Sequence, residues 1–126
     1  MSDFWTKAQT ASKSAAELMN AGDADGAVNR AYYGMLFGAR IMLERVDPKA
    51  ANAKRHSTIV SQFGLHFVRG RRVDVAHGRA FKLALEQRLI ADYQPENVEM
   101  TLAREVVNNA AAFLEAVRRL KEENTP

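Results

Sequence analysis

The sequence predicts an all-α protein, an up-and-down bundle of four to five helices. Three observations carry that expectation. Apolar residues recur at three- and four-residue spacing along most of the chain. Gly22, Pro48, Gly64, Gly70 and Pro95 fall between those stretches, where helices would end. No alternating apolar and polar run marks a strand, and there is no internal repeat or low-complexity tract.

The elements follow in order. Ser2 or Asp3 can cap a first helix in which Phe4, Ala8, Ala11, Ala15, Leu18 and Met19 share helical spacing. Ala21-Gly22-Asp23 ends it, with Gly22 as the C-cap and Asp23 or Asp25 as the next N-cap. A turn this short makes the first two helices antiparallel neighbours. The second helix, Ala27 to about Val46, has two useful sides. With successive residues 100° apart, Val28, Ala31, Tyr32, Met35, Ala39, Met42, Leu43 and Val46 form one broad apolar arc. The opposite side holds Arg30, Tyr33, Phe37 and Ile41, with Gly34 and Gly38 beside them. A glycine inside a helix costs roughly 1 kcal/mol against alanine, so two of them imply a close approach by something. A helix apolar on one side and half apolar on the other is packed on both, which makes this the central helix.

Asp47-Pro48 stops it, because the residue before a proline is pushed out of the helical region. Lys49 to Arg55 reads as a loop, and Ser57 to Phe63 as a short helix that Gly64 breaks. Leu65 to Val68 continues irregularly and Gly70 marks a turn. A long helix then covers Val73 to Tyr93, beginning near Asp74. Gln94-Pro95-Glu96 interrupts the chain, with Pro95 suited to a helix start. Val98, Leu102, Val106, Ala110, Phe113, Val117 and Leu120 give the last helix a clean stripe. A chain of 126 residues fits one domain, taken as residues 1–121, with a frayed tail over 122–126.

Composition narrows the function. The chain is 47% apolar and 26% charged, ordinary for a globular protein. It has no cysteine, which excludes disulfides and thiolate chemistry and fits a reducing, cytoplasmic setting. The N-terminus lacks the basic and apolar pattern of a secretory signal, and no apolar run approaches the roughly 18 residues that span a bilayer. No membrane association is expected. Between Asp47 and Asp74 there is no acidic residue, yet this interval holds Lys49, Lys54, Arg55, Arg69, Arg71 and Arg72, plus His56 and His66. Since the net charge is only +3, the remainder is acidic. Such a local basic segment is either a footprint for a polyanion or a solvated loop that lacks acids.

The Val73–Tyr93 helix carries the sharpest anomaly. Its exposed side should be Arg79, Lys82, Glu86 and Tyr93, and its buried side Ala76, Ala80, Leu83, Ala84, Ile90 and Ala91. His77, Arg88 and Asp92 belong to neither, lying around Phe81 at the edge of the apolar arc. Arg88 and Asp92, four residues apart, can pair along the helix. Charges turned toward a core are costly unless paired or used. The pair is therefore a structural ion pair, or part of a pocket shared with Arg30 or Tyr33.

The run GDADGAVNRAYYGMLFGARIMLE resembles the second helix of HEPN-domain proteins of the small stand-alone prokaryotic branch. The resemblance continues through Arg55-His56-Ser57, Phe63-Gly64-Leu65-His66-Phe67-Val68 and Glu86-Gln87-Arg88-Leu89-Ile90-Ala91-Asp92-Tyr93, covering about residues 5 to 118. It implies a HEPN-like bundle that commonly forms a homodimer. It also implies work beside a minimal nucleotidyltransferase in a toxin–antitoxin or defence pair. Many members of that family are metal-independent ribonucleases in which an Arg is followed four to six residues later by a His. The two organise an RNA 2′-hydroxyl and stabilise the charge of the phosphorane, by acid–base and electrostatic catalysis.

This chain departs from that pattern at the matching place. Arg88 is followed by four residues and then Tyr93, a far poorer base near neutrality than histidine. Arg72 and His77 satisfy the spacing literally, but at the other end of the helix, where a chance pairing in an Arg-rich stretch accounts for them. His56, beside Lys54 and Arg55, is the other imidazole able to reach a phosphate. No metal-ligand cluster, phosphate-binding glycine loop or nucleophile turn is present, so neither a metal nor a cofactor is expected.

Two functions stand side by side. In one, the protein is an RNA-acting toxin or defence component. Arg88, Asp92, Tyr93 and His56 are then its catalytic candidates, with Arg30, Tyr33, Lys54, Arg55, Arg72 and His77 as binding candidates. In the other it is a non-catalytic dimeric module that binds a nucleotidyltransferase antitoxin or positions nucleotide or RNA for it. In either case the Gly34, Phe37, Gly38 and Ile41 side is the expected homodimer surface.

Overall fold

A computed structural model describes residues 4–123. The chain forms α1 (Phe4–Asn20), α2 (Ala24–Val46), a one-turn α3 (Pro48–Ala51) and α4 (His56–Phe63). A π-helical turn over Gly64–Val68 continues α4, and α5 (Val75–Tyr93) and α6 (Met100–Glu123) complete the bundle. Among the described residues there is no strand, and the all-helical expectation holds. No helix among them is long and apolar enough to cross a membrane. The Ser2 or Asp3 cap lies outside the described residues. So do residues 124–126 of the expected tail, whereas Glu122 and Glu123 are still helical.

The caps act where their chemistry allows. Gly22 takes a positive φ of 85° to end α1. Asp23 then accepts from the Gly26 amide at 2.8 Å to begin α2. Asp47 serves twice. Its backbone N–H closes α2 on the Leu43 carbonyl, and its carboxylate accepts from the Ala50 amide at 3.1 Å. With Pro48 at the first helical position, Asp47 therefore starts α3 inside what the sequence reads as a loop. Asp74 caps α5 through the Ala76 amide at 2.9 Å.

α2 is the central helix. Gly34 faces the backbone of α1, where an added Cβ would sit 3.2 Å from the Ala8 carbonyl oxygen. Gly38 faces α6, where a Cβ would meet a Leu114 methyl at 2.8 Å. Both glycines are thus used for close packing within the chain, and both are buried. This removes Gly34 and Gly38 from the homodimer surface expected on Gly34, Phe37, Gly38 and Ile41. The glycines are covered by α1 and α6, and Phe37 is half-buried and stacks on Phe4 with ring centroids 5.7 Å apart. Ile41 is also half-buried against the core.

α5 runs antiparallel to α2, with its C-terminal end beside the start of α2. α6 returns parallel to α2: Asp25 accepts from the Val98 amide at one end, and Arg45 donates to the Lys121 carbonyl at the other. The core is aromatic at its centre, where Phe63, Phe81 and Phe113 meet with centroids 5.0–5.9 Å apart.

Two boundaries and two burial assignments differ from expectation. Gly64 does not break the chain: it stays in the right-handed helical region, and the Arg69 amide bonds its carbonyl at 2.9 Å, an i→i−5 closure. α6 begins at Met100 rather than near Pro95, although Val98 packs into the core ahead of it. On α5 the fully buried residues are Phe81 and Ala84, while Ala76, expected inside, is exposed. Val46 is also exposed, being the last residue of its helix.

Candidate functional site

The inward meridian of α5 runs through His77, Phe81, Ala84 and Arg88, residues three and four apart. The side chain of Arg88 is therefore only 15% exposed, at the end of the core where α5 meets the first turns of α2. It is placed there with partners. Arg88 Nη2 donates to the Tyr33 hydroxyl at 3.1 Å. Arg88 Nε lies 2.9 Å from Asp92 Oδ2, close enough for an ion pair, although its N–H is not aimed along that contact. The guanidinium carbon also lies 5.7 Å from the Tyr32 ring centre and 5.5 Å from that of Tyr33.

α2 supplies the other wall. Arg30 stands over the same Tyr33 ring at 5.2 Å, so one tyrosine carries a guanidinium from each helix. Asn29, which the sequence reading passed over, links the two helices. Its amide Nδ2 donates to Asp92 Oδ1 at 3.4 Å, and its Oδ1 accepts from Arg30 Nε at 3.2 Å. It stands inside the Asn29-Arg30 pair, so its place beside Arg30 was visible, but its reach to Asp92 was not.

His56, the first residue of α4, completes the cluster. Its ring lies 5.6 Å from Tyr32 and 5.9 Å from Tyr33, edge-on to the latter. Burial and the nearby charges of Arg88 and Arg40 lower its pKa below the ordinary 6.5. A neutral imidazole among guanidinium groups can accept a proton or a hydrogen bond. Burial likewise raises the Tyr32 phenol, so this hydroxyl stays protonated. It has no hydrogen-bond partner among the described residues.

Arg40 is the second residue that sequence reasoning missed. It follows Arg30, Tyr33 and Phe37 on the same side of α2, and its field reaches both His56 and Tyr32. Its Nε is buried without a hydrogen-bond partner, and no carboxylate among the described residues pairs with it. Arg30 and Arg88 thus converge on Tyr33 with Asp92 as their neighbouring carboxylate, while the Arg40 guanidinium stands 6.0 Å from the Phe4 ring. That balance favours an anion.

The remaining expected residues fall elsewhere. Tyr93 is 71% exposed, about 140° around α5 from Arg88, so the structure does not bring it to the cluster. His77 packs edge-on against Phe113 at 6.3 Å, three turns from Arg88, and Arg72 lies over Phe67 at 5.4 Å. The Arg72–His77 spacing is therefore structural in its surroundings and separate from the site. Lys54 and Arg55 are exposed just before His56 in the chain. No three His, Asp or Glu side chains among the described residues converge as metal ligands. A recess of about 700 Å³ lies on another side of α5, between it and α4.

Known proteins resemble this chain along most of its length. A model of the HEPN domain matches residues 1–120. The chain is also similar to a curated protein of Methanocaldococcus jannaschii named "Putative toxin MJ0605". The two are 28% identical over 97 residues, which covers 77% of this chain and 70% of that protein.

Proposed function

Because this chain belongs to the HEPN-domain family, we propose that it is a toxin or defence component that acts on RNA at the Arg88–Tyr33–His56 cluster. The observation that carries this reading is the convergence of Arg30 and Arg88 on one tyrosine ring beside a neutral imidazole. Arg88 and Arg30 are suited to hold a phosphodiester, whose charge grows on the way to the phosphorane. Arg40 adds positive potential from within. His56 is suited to take the proton of the ribose 2′-hydroxyl as its oxygen attacks the adjacent phosphorus. The 5′-oxygen then leaves with a proton from water on the open side, and a 2′,3′-cyclic phosphate remains. Asp92 acts as a positioning residue, holding Arg88 on one side and Asn29 on the other.

The test is cleavage of mixed RNA by purified protein with EDTA present. Activity that is lost in Arg88→Ala and His56→Gln supports the reading. Inactivity of pure protein on every RNA tried, or full activity of Arg88→Ala, refutes it.

A second reading has its own observation in favour. At the place where the family pattern has histidine this chain has Tyr93, which is solvent-exposed. On that reading the protein is a dimeric, non-catalytic module that binds a nucleotidyltransferase partner, and the arginine cluster positions nucleotide or RNA for it. It predicts no toxicity on expression alone and a stable complex with a co-encoded nucleotidyltransferase. Both readings treat residues 1–121 as one cytoplasmic domain that works as a homodimer. Light scattering at micromolar concentration checks the dimer.

A further inference from the structure

α5 is apolar on two sides. Phe81 and Ala84 face the core, whereas Val75 and Leu89 face outward beside the recess, and Leu85 is half-buried, packing against the core while lining the recess. A helix with two apolar sides is packed on both in its working state, yet within this chain only one side is covered. The outward stripe has a period. Val75, Gly78, Lys82, Leu85 and Leu89 follow one another at alternating three- and four-residue steps, the spacing of a helix that receives another helix along its length. Across the recess Val60, Gly64, Leu65 and Val68 line the opposite wall from α4 and the π-turn. Val68 packs so close to Gly78 that a Cβ there would stand 3.0 Å from its methyl, which closes the floor. From Val75 to Leu89 the groove is about 21 Å long, four helical turns.

Three of the large apolar side chains the protein exposes line this one groove: Leu65 at 46%, Val75 at 51% and Leu89 at 43%. Its charges are one-sided, since Arg69, Arg79 and Lys82 stand against the single acid Glu86. We infer that the groove between α4 and α5 is a docking site for an amphipathic helix of a partner protein, apolar along one stripe and acidic on its flanks. The heptad-like spacing specifies a helix, and the cationic rim specifies its charge. A second copy of this chain is a poor occupant. It would set the same cationic rims against each other. Among the described residues the other large apolar side chains exposed, Val46, Tyr93 and Met100, are scattered over α2, α5 and α6 and form no matching stripe. The groove lies apart from the Arg88 cluster, so this inference stands or falls separately from the RNA reading.

The experiment uses two synthetic helical peptides of about 18 residues, long enough at 1.5 Å per residue to span the groove with a turn to spare. Both carry leucine at the a and d heptad positions, one with glutamate and the other with lysine on the flanks. Fluorescence anisotropy against the full chain should show the glutamate peptide binding in the micromolar range and the lysine peptide at least about tenfold weaker. Leu89→Glu and Leu65→Glu should abolish binding, and Lys82→Glu should narrow or invert the preference between the peptides. Circular dichroism of each variant confirms folding, since these side chains are on the surface. Equal binding of both peptides, or binding unchanged by Leu89→Glu, overturns the inference. So does conversion of a dimer to a monomer by Leu89→Glu without peptide, which would make a second copy the occupant.

Discussion

α5 and α6 are neighbours of similar length with opposite uses. α6 buries Ala103, Val106, Ala110, Phe113, Val117 and Leu120 along one stripe, and its other side is exposed and polar. α5 fully buries only Phe81 and Ala84. The rest of its surface is divided between the Arg88–Asp92 pair at one end of the core and the apolar groove outside. The contrast shows how a small bundle divides its packing unequally between neighbouring helices. One helix with an unambiguous stripe anchors the core, and its partner is left free to carry a half-buried charge and an uncovered apolar face.

The sharpest way to break that contrast is truncation. Phe113→Ala on α6 removes a ring that meets Phe63 and Phe81, so urea denaturation should show a loss of about 3–5 kcal/mol. Leu89→Ala on the outer side of α5 should stay within about 0.5 kcal/mol of wild type. Equal losses would mean that α5 carries as much of the core as α6.

Next in size is the effect on activity. If the cluster cleaves RNA, Arg88→Ala should lower the rate by about 10²–10³-fold, the range for one preorganised stabilising group. Its stability should fall far less than that of Phe113→Ala, because the ion pair with Asp92 is partly solvated.

A smaller effect is expected at Tyr32. Its buried hydroxyl lacks a partner, so Tyr32→Phe should be neutral or stabilise the protein by up to about 1 kcal/mol. A marked loss of stability would show that the hydroxyl is bonded in solution.

The smallest signal is the pH dependence at His56. Its folded pKa is below the unfolded value of 6.5, so in mild acid the unfolded chain binds a proton that the folded chain resists. Stability should therefore decline as the pH falls through 6.5 toward the lowered folded value. Comparing thermal melts of wild type and His56→Gln over this window isolates the group from His66 and His77. The slope should be shallower in the variant.

Much of this was legible in the residues alone. The α6 stripe is the stripe that is buried, and the apolar arc of α2 faces the core as its spacing indicates. The Arg88–Asp92 pair forms at the spacing that allows it. Other features were misread for identifiable reasons. On α5 the inner arc read from spacing holds the buried Ala84, with Ala80, Leu83, Ile90 and Ala91 packed against the core, but it includes the exposed Ala76 and leaves the fully buried Phe81 at its edge. Gly34 and Gly38 announced a close approach without naming what approaches, and the answer was α1 and α6 rather than another subunit. Gly64 is compatible with a break and with a π-turn, and only the hydrogen bond from Arg69 distinguishes them.

What the sequence determined by itself is local: helical periods, the Asp23, Asp47 and Asp74 caps, and pairs four residues apart all depend on neighbours along the chain. The tertiary structure decided the rotation of α5 about its own axis. Phe81 fits among Tyr32, Phe63 and Phe113, and that fit turns Arg88 toward Tyr33 and leaves Val75 and Leu89 outside. The same packing brings His56 beside two tyrosines of α2. Such meetings between residues far apart in the chain follow from shape complementarity in a close-packed interior, which no local spacing encodes.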